Sequence, residues 1–181
     1  DGSDPESPLG REMSYWRDKL HGLPTVTDLP MDRPRPAVFD SRGDLVTVAF
    51  DEEFADRIDE LCRRYRVTPF MVTYAALVVM IARLAATSDA VVAAPTAGRT
   101  GAAVDEMVGM FVNTLILRAD VAPGRTVDEL LRAVRSDVVD AFSNADVQFD
   151  ELVEALAPPR STSYAPLAQI AFTYAEQQKA E

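Results

Sequence analysis

Val108-Gly109-Met110-Phe111-Val112-Asn113-Thr114-Leu115-Ile116-Leu117-Arg118 is the stretch on which the fold turns. From Phe111 to Arg118 the run reads as a strong β-strand, because β-branched and other apolar residues follow one another there. Asn113 interrupts its apolar character. A buried amide is costly unless it is hydrogen-bonded, so Asn113 either faces a space that holds a ligand or bonds neighbouring backbone and fixes the strand. Arg118 is expected at the strand end in solvent.

Working upstream, Thr96 to Met110 reads as a loop with Gly98 and Gly101 and one helical turn, and Ala90 to Ala94 as a short buried strand. Thr68-Pro69 has the cap and first-position proline of a helix start. The Phe70 to Leu84 helix that follows is apolar nearly all round, so it should be enclosed on several sides. Thr73, Tyr74 and Arg83 make it a buried helix rather than a membrane span, which needs about 20 apolar residues. Asp51 caps a preceding helix with Phe54, Ile58, Leu61 and Tyr65 on one face. Leu45 to Phe50 reads as a strand, and the proline-rich Asp28 to Pro36 as an extended connector. Tyr15 to Leu20 reads as a short helix ending at Gly22.

Downstream, Thr126 and Glu129 form a capping-box pattern opening a helix that should bury Val127, Leu130, Leu131, Val134, Val138 and Phe142. Phe149 to Leu156 reads as a short amphipathic helix and Leu167 to Tyr174 as a last strand. This mixed order of strands and long helices implies an α/β fold, a layered sheet with helices packed on it.

The 181 residues suffice for one compact domain or one lobe of a larger one, and 48% of them are hydrophobic, which supplies a core. Residues 1–12, acidic in their opening run Asp1 to Pro8, read as a linker remnant. With a formal charge of −11 and no cluster of Lys/Arg interleaved with aromatics, neither a nucleic acid nor an anionic membrane surface is an expected partner. Cys62 is the one cysteine and His21 the one histidine. An intrachain disulfide and a Cys/His metal site are thereby excluded, and a reducing, cytoplasmic setting is expected. Cys62 is expected to be an inert packed thiol, and His21 to favour a helix C-terminus as a cation rather than to serve catalysis. No phosphate-binding glycine loop is present.

Three segments carry a resemblance. Val108 to Arg118 is close to I-G-x-F-V-N-T-x-x-x-R, departing only at Val108. Ala94-Pro95-Thr96-Ala97-Gly98-Arg99 resembles T-P-x-A-G-R. Arg160-Ser161-Thr162-Ser163-Tyr164-Ala165-Pro166-Leu167-Ala168-Gln169 is similar to R-D-x-S-R-x-P-L-F-Q, departing at Ser161, Tyr164 and Ala168. Asn144 to Asp150 stands where the same pattern has H-x-D-x-P-F-E, keeping Asp146, Phe149 and an acid at Asp150 but lacking the histidine and proline. These are motifs from the C-terminal half of nonribosomal peptide synthetase condensation domains, and the resemblance runs from about Tyr15 to Thr173.

The resemblance implies that residues 13–181 are the C-terminal lobe of a two-lobe, chloramphenicol-acetyltransferase-like fold, without the final strands and helix. It implies an activity in which a carrier-bound amine attacks a carrier-bound acyl thioester in a tunnel between lobes. The partners are then the N-terminal lobe, peptidyl carrier proteins and an adenylation domain. Phosphopantetheine arms arrive as parts of the substrates, and no cofactor is bound directly. The family's H-H-x-x-x-D-G motif is absent, so no catalytic residue is expected in this chain. Asn113, Thr114, Arg99 and Ser163 are the candidate tunnel residues. For Arg99 a structural ion pair, and for Ser163, as for Arg160, a turn-capping role, remain open beside that. A sheet edge left by truncation would invite pairing with a second copy. Two other readings stand: a condensation-like domain that recruits partner enzymes without catalysing, and a free-standing acyltransferase of the same fold.

Overall fold

A computed structural model describes residues 4, 6–98 and 107–175. Its first element, α1 (Pro8–Lys19), begins earlier than the sequence suggests. The Ser7 hydroxyl accepts from the Gly10 N–H and Pro8 fills the first turn, a combination that starts a helix locally. Gly10, Met13 and Trp16 are buried, so a linker boundary at residue 12 would fall inside a packed helix.

Next come α2 (Glu52–Tyr65) and α3 (Pro69–Leu84), capped by the Asp51 carboxylate and the Thr68 hydroxyl. α2 buries no residue fully: Ile58, Leu61, Cys62 and Tyr65 are half-buried, and Phe54 stacks on Phe50 at 4.3 Å. α3 buries Met71, Val72, Tyr74, Ala75, Val78, Ile81 and Ala82. Its enclosure is incomplete, since Met80 and Leu84 are exposed.

The sheet consists of β1 (Asp89–Thr96) and β2 (Asn113–Asp120), antiparallel, in register from Asp89↔Asp120 to Thr96↔Asn113. A two-stranded ribbon is marginal in water; burial sustains this one. Val91 and Val92 are successive and therefore point to opposite faces, and both are buried. α3 packs on β1, while α4 (Val127–Ser143) packs on both β2 and α3. α5 (Phe149–Leu156) lies against β2 and α1. Helices on a sheet are the α/β layering expected.

Three local expectations need correction. Leu45 to Phe50 forms no strand and pairs with none among the described residues, and Leu45 and Val46 are 84% and 86% exposed. β propensity describes fit to a neighbouring strand and face; here neither is present. Leu167 to Tyr174 contributes a single parallel bridge, Ala93↔Ala171, on the edge of β1 away from β2. Ala93 N–H donates to the Ile170 carbonyl and Phe172 N–H to the Ala93 carbonyl, both at 2.8 Å, and the Phe172 ring packs against Phe70 of α3. In α4, Val127 and Phe142 are exposed rather than buried, and Ala141 joins Leu130, Leu131, Val134 and Val138 in the core.

Arg118 is also not in solvent. Its guanidinium forks onto Asp89, Nε to Oδ1 at 2.8 Å and Nη2 to Oδ2 at 2.7 Å. Nη1 donates to the Lys19 and His21 carbonyls at 3.0 and 2.8 Å. It thereby ties β2 to β1 and to the chain leaving α1. The length of an arginine lets it turn back over the ladder, which its place at a strand end did not reveal.

Removing one partner of this half-buried charge pair leaves Asp89 and two carbonyls without their donor, at a cost that solvent screening keeps below that of a fully buried pair. Arg118→Ala should lower unfolding free energy by about 2 kcal/mol, and Arg118→Lys should recover little of it, since an ammonium lacks the planar fork; urea denaturation measures both. The Thr126–Glu129 capping box gives a second check. Thr126 N–H and Oγ1–H both donate to Glu129 Oε2 at 2.8 Å, which holds that carboxyl below its usual pKa. A depressed carboxylate pKa contributes stability above the unfolded value and loses it as pH falls through the folded one. Glu129→Gln should therefore lower the melting temperature at neutral pH, the difference shrinking as pH drops below about 4.3.

Candidate functional site

Gly98 follows β1 with φ +61°, and a Cβ built there would lie 1.7 Å from the Phe111 carbonyl oxygen. Glycine is thus required where the backbone leaving β1 passes the residues leading into β2. Beside this end of the ladder is a cleft of about 370 Å³, walled by Thr114 and Ile116 of β2, Ala93 of β1, Phe149 of α5, and the loop residues Phe39 and Tyr164. Arg35 and Gln169 also reach it.

Asn113 lies behind this wall, 4% exposed, with its amide fully engaged by the chain. Nδ2 donates to the Ala145 and Val147 carbonyls at 3.0 and 2.8 Å. Oδ1 accepts from the Thr114 and Phe149 N–H groups at 2.8 and 3.0 Å. These use both donors and both acceptor sites of a carboxamide. Of the two readings of Asn113, this geometry is the backbone-bonding one.

The other candidates separate. Thr114 lines the cleft. Ser163 does not: its hydroxyl donates to the Pro36 carbonyl at 2.6 Å, and the neighbouring Thr162 hydroxyl donates to Ala37 O at 2.7 Å, so this turn pins the proline-rich connector. Arg99 lies outside the described residues. Arg160 is exposed beside a second cleft. His21 lies just beyond α1 and lines a third. Tyr164 lines all three clefts, and its sequence signal was that it departs from the family pattern. Gln169, which agrees with that pattern, is a second amide clamp: Oε1 accepts from Thr27 N–H at 2.9 Å and Nε2 donates to Ala165 O at 3.0 Å.

No carboxylate, imidazole or thiol lines the cleft among the described residues. Nor does any group of His, Cys, Asp and Glu among them suit a metal ion. Cys62 is remote, on α2, and burial pushes its thiol pKa up, away from the reactive thiolate. Such a wall can bind and orient a substrate through apolar contact and the Thr114 and Tyr164 hydroxyls, but it supplies no general base.

The Condensation domain family model matches residues 6–181. The chain belongs to the condensation-domain family. Over 174 residues it is 42% identical to a probable non-canonical nonribosomal peptide synthetase of Salinispora arenicola, covering 96% of this chain and 2% of that protein. A dimodular nonribosomal peptide synthase of Bacillus subtilis is 38% identical over 178 residues, covering 98% and 8%. Among solved structures, the X-domain from teicoplanin biosynthesis superposes with a TM-score of 0.88 at 27% identity, covering 93% of this chain and 38% of that one. A holo four-domain nonribosomal peptide synthetase does so at 0.90 and 26%, covering 96% and 13%. The chain thus spans a small part of the curated relatives it matches. In this condensation-domain chain Asn113, behind the wall, holds the backbone of Phe149, which lines the cleft.

Gly98→Ala should cost more than the about 1–2 kcal/mol of a left-handed backbone alone, since the methyl meets backbone rather than a flexible side chain. Thermal denaturation beside Gly124→Ala, whose added Cβ meets nothing within 4 Å at φ +83°, separates the two contributions.

Proposed function

We propose that this chain is the C-terminal lobe of a condensation domain that forms amide bonds between carrier-bound substrates, and that it supplies one wall of their channel. The observation that carries the reading is family membership across the chain combined with a cleft that offers orienting groups and no general base. In the reaction, an amine attacks an acyl thioester carbonyl. The C–N bond forms, the C–S bond breaks, and the thiol of the donor's pantetheine arm leaves with the proton that the amine loses. Holding both arms in register converts a bimolecular encounter into a near-unimolecular one, which can lower the barrier by about 7–11 kcal/mol. Thr114 faces that channel. The lobe meets carrier proteins, an N-terminal lobe and an adenylation domain. Its uncovered apolar run Leu45, Val46, Val48 and Phe50 is what the rest of the domain covers or, in the isolated chain, a second copy.

A second reading is supported by one observation: the X-domain it resembles has been solved in complex with OxyB. In that reading the parent recruits a partner enzyme and does not condense. The departures at Asn144 and Gln148 give it a place to differ from condensing relatives.

The two readings separate by mass spectrometry of products formed from loaded carrier proteins. The complete condensation domain containing this lobe should release the amide-linked product, and the isolated chain should release none. Turnover by the isolated chain would overturn its assignment as a wall without a base. A correctly folded complete domain that forms no product but binds a partner enzyme would favour recruitment.

A further inference from the structure

Four hydrogen bonds of Asn113 converge on one short segment and one neighbour. Ala145 O, Val147 O and Phe149 N–H belong to the turn that carries the chain from α4 into α5, and Thr114 N–H is the next residue of β2. Elsewhere the turn is held at its start, where the buried Trp16 Nε1–H donates to the Asn144 carbonyl at 2.7 Å, and beyond that by three weaker bonds. Asp146 N–H donates to Glu12 Oε2 at 3.1 Å, Gln148 N–H to Glu151 Oε2 at 3.3 Å and Gln148 Nε2 to Asp146 O at 3.3 Å, all exposed. Val147, 3% exposed, is its one fully buried side chain. Phe149 and Thr114, the two residues whose N–H groups share Asn113 Oδ1, are also the two that the amide delivers to the cleft wall.

We infer that Asn113 is a positioning residue that acts through Phe149: its amide fixes where the turn meets β2, and so sets the spacing between the Phe149 ring and the Thr114 hydroxyl across the substrate wall. The inference rests on the proposed condensing function and deepens it. It differs from direct substrate contact, because an amide with both donors and both acceptor sites engaged has nothing left to offer a ligand. It also differs from a purely structural role. The loss should appear in turnover by molecules that remain folded, and it should depend on the ring that Asn113 places. Misplacing a substrate-positioning group by about 1 Å can cost on the order of a hundredfold in rate.

The test is a double-mutant cycle in the complete condensation domain with loaded carrier proteins. Asn113→Ala, Phe149→Leu and the double variant are compared by kcat/KM per folded molecule, the folded fraction being taken from thermal melts. Each single change should lower kcat/KM by roughly tenfold to a hundredfold. The double variant should lose little more than the worse single one, because the second change has no placed ring left to disturb. Losses that multiply independently would overturn the inference in favour of direct contact, and unchanged kcat/KM in folded Asn113→Ala would overturn it in favour of structure alone. If Asn113→Ala does not fold, Phe149→Leu decides: a folded Phe149→Leu domain with wild-type kcat/KM leaves Asn113 nothing to act through. Amide hydrogen exchange at Phe149 and Thr114 is read in parallel on Asn113→Leu, which keeps the side chain's branched shape and removes the acceptor that both N–H groups use along with both donors. Faster exchange at Phe149 and Thr114 is expected, and exchange as slow as in the parent overturns the clamp itself. That readout does not depend on catalysis, so a wild-type domain that forms no product refutes the proposed function while leaving the clamp testable.

Discussion

The antiparallel ladder between β1 and β2 is the constraint on which the rest of the described structure depends, because a two-stranded ribbon must be buried and held at its ends to persist. Helices cover its middle, where consecutive residues such as Val91 and Val92 are both inaccessible. Its two ends are treated differently. At the Asp89↔Asp120 end, the Arg118 guanidinium bonds Asp89, the carbonyl of the last α1 residue, Lys19, and that of His21 just beyond it, which holds these elements together. At the Thr96↔Asn113 end, Gly98 lets the backbones approach and Asn113 recruits the turn before α5. An ion-pair fork holds one end, an amide clamp holds the other, and the cleft lies beside the clamped end.

Polar side chains therefore do work here that a wider sheet would do with strand ladders. Asn113, Arg118 and Gln169 each bond backbone groups far away in sequence. A buried backbone group left unpaired costs a large part of its desolvation, so each of these side chains fixes a loop that has no secondary structure to satisfy it. The connector through Pro36 and Ala37 is pinned in the same manner by Ser163 and Thr162. This is why Ser163, a candidate for substrate contact, is committed elsewhere.

The cleft offers groups that orient a ligand and, among the described residues, no carboxylate, imidazole or thiol. Its lining is apolar apart from a few hydroxyl, amide and guanidinium groups, and ring and hydroxyl are placed by backbone that Asn113 holds. Substrate walls of this kind act through distance and angle rather than through proton transfer. The apolar run from Leu45 to Phe50 marks the opposite situation, a segment whose own sequence favours pairing and which has no partner strand among the described residues.

Local patterns were enough to place the helices after the first, since caps and apolar spacing are short-range: Asp51, Thr68 and the Thr126–Glu129 box each start a helix where the chain spells one, whereas α1 starts well before the Tyr15 to Leu20 stretch the sequence suggested. Periodicity likewise located both paired strands, and motif order from Ala94 to Gln169 was sufficient to recognise the family. What sequence could not decide was every question that depends on a partner distant along the chain. Leu45 to Phe50 has strand character without a neighbour, Arg118 stands at a strand end yet closes back over Asp89, and Asn113 suited a ligand and a backbone clamp equally until the turn before α5 was seen against it. Residue type determined which groups needed a partner; only the tertiary structure decided which partner came within hydrogen-bonding distance, because that depends on how the helices bring separate segments to the two ends of one ladder.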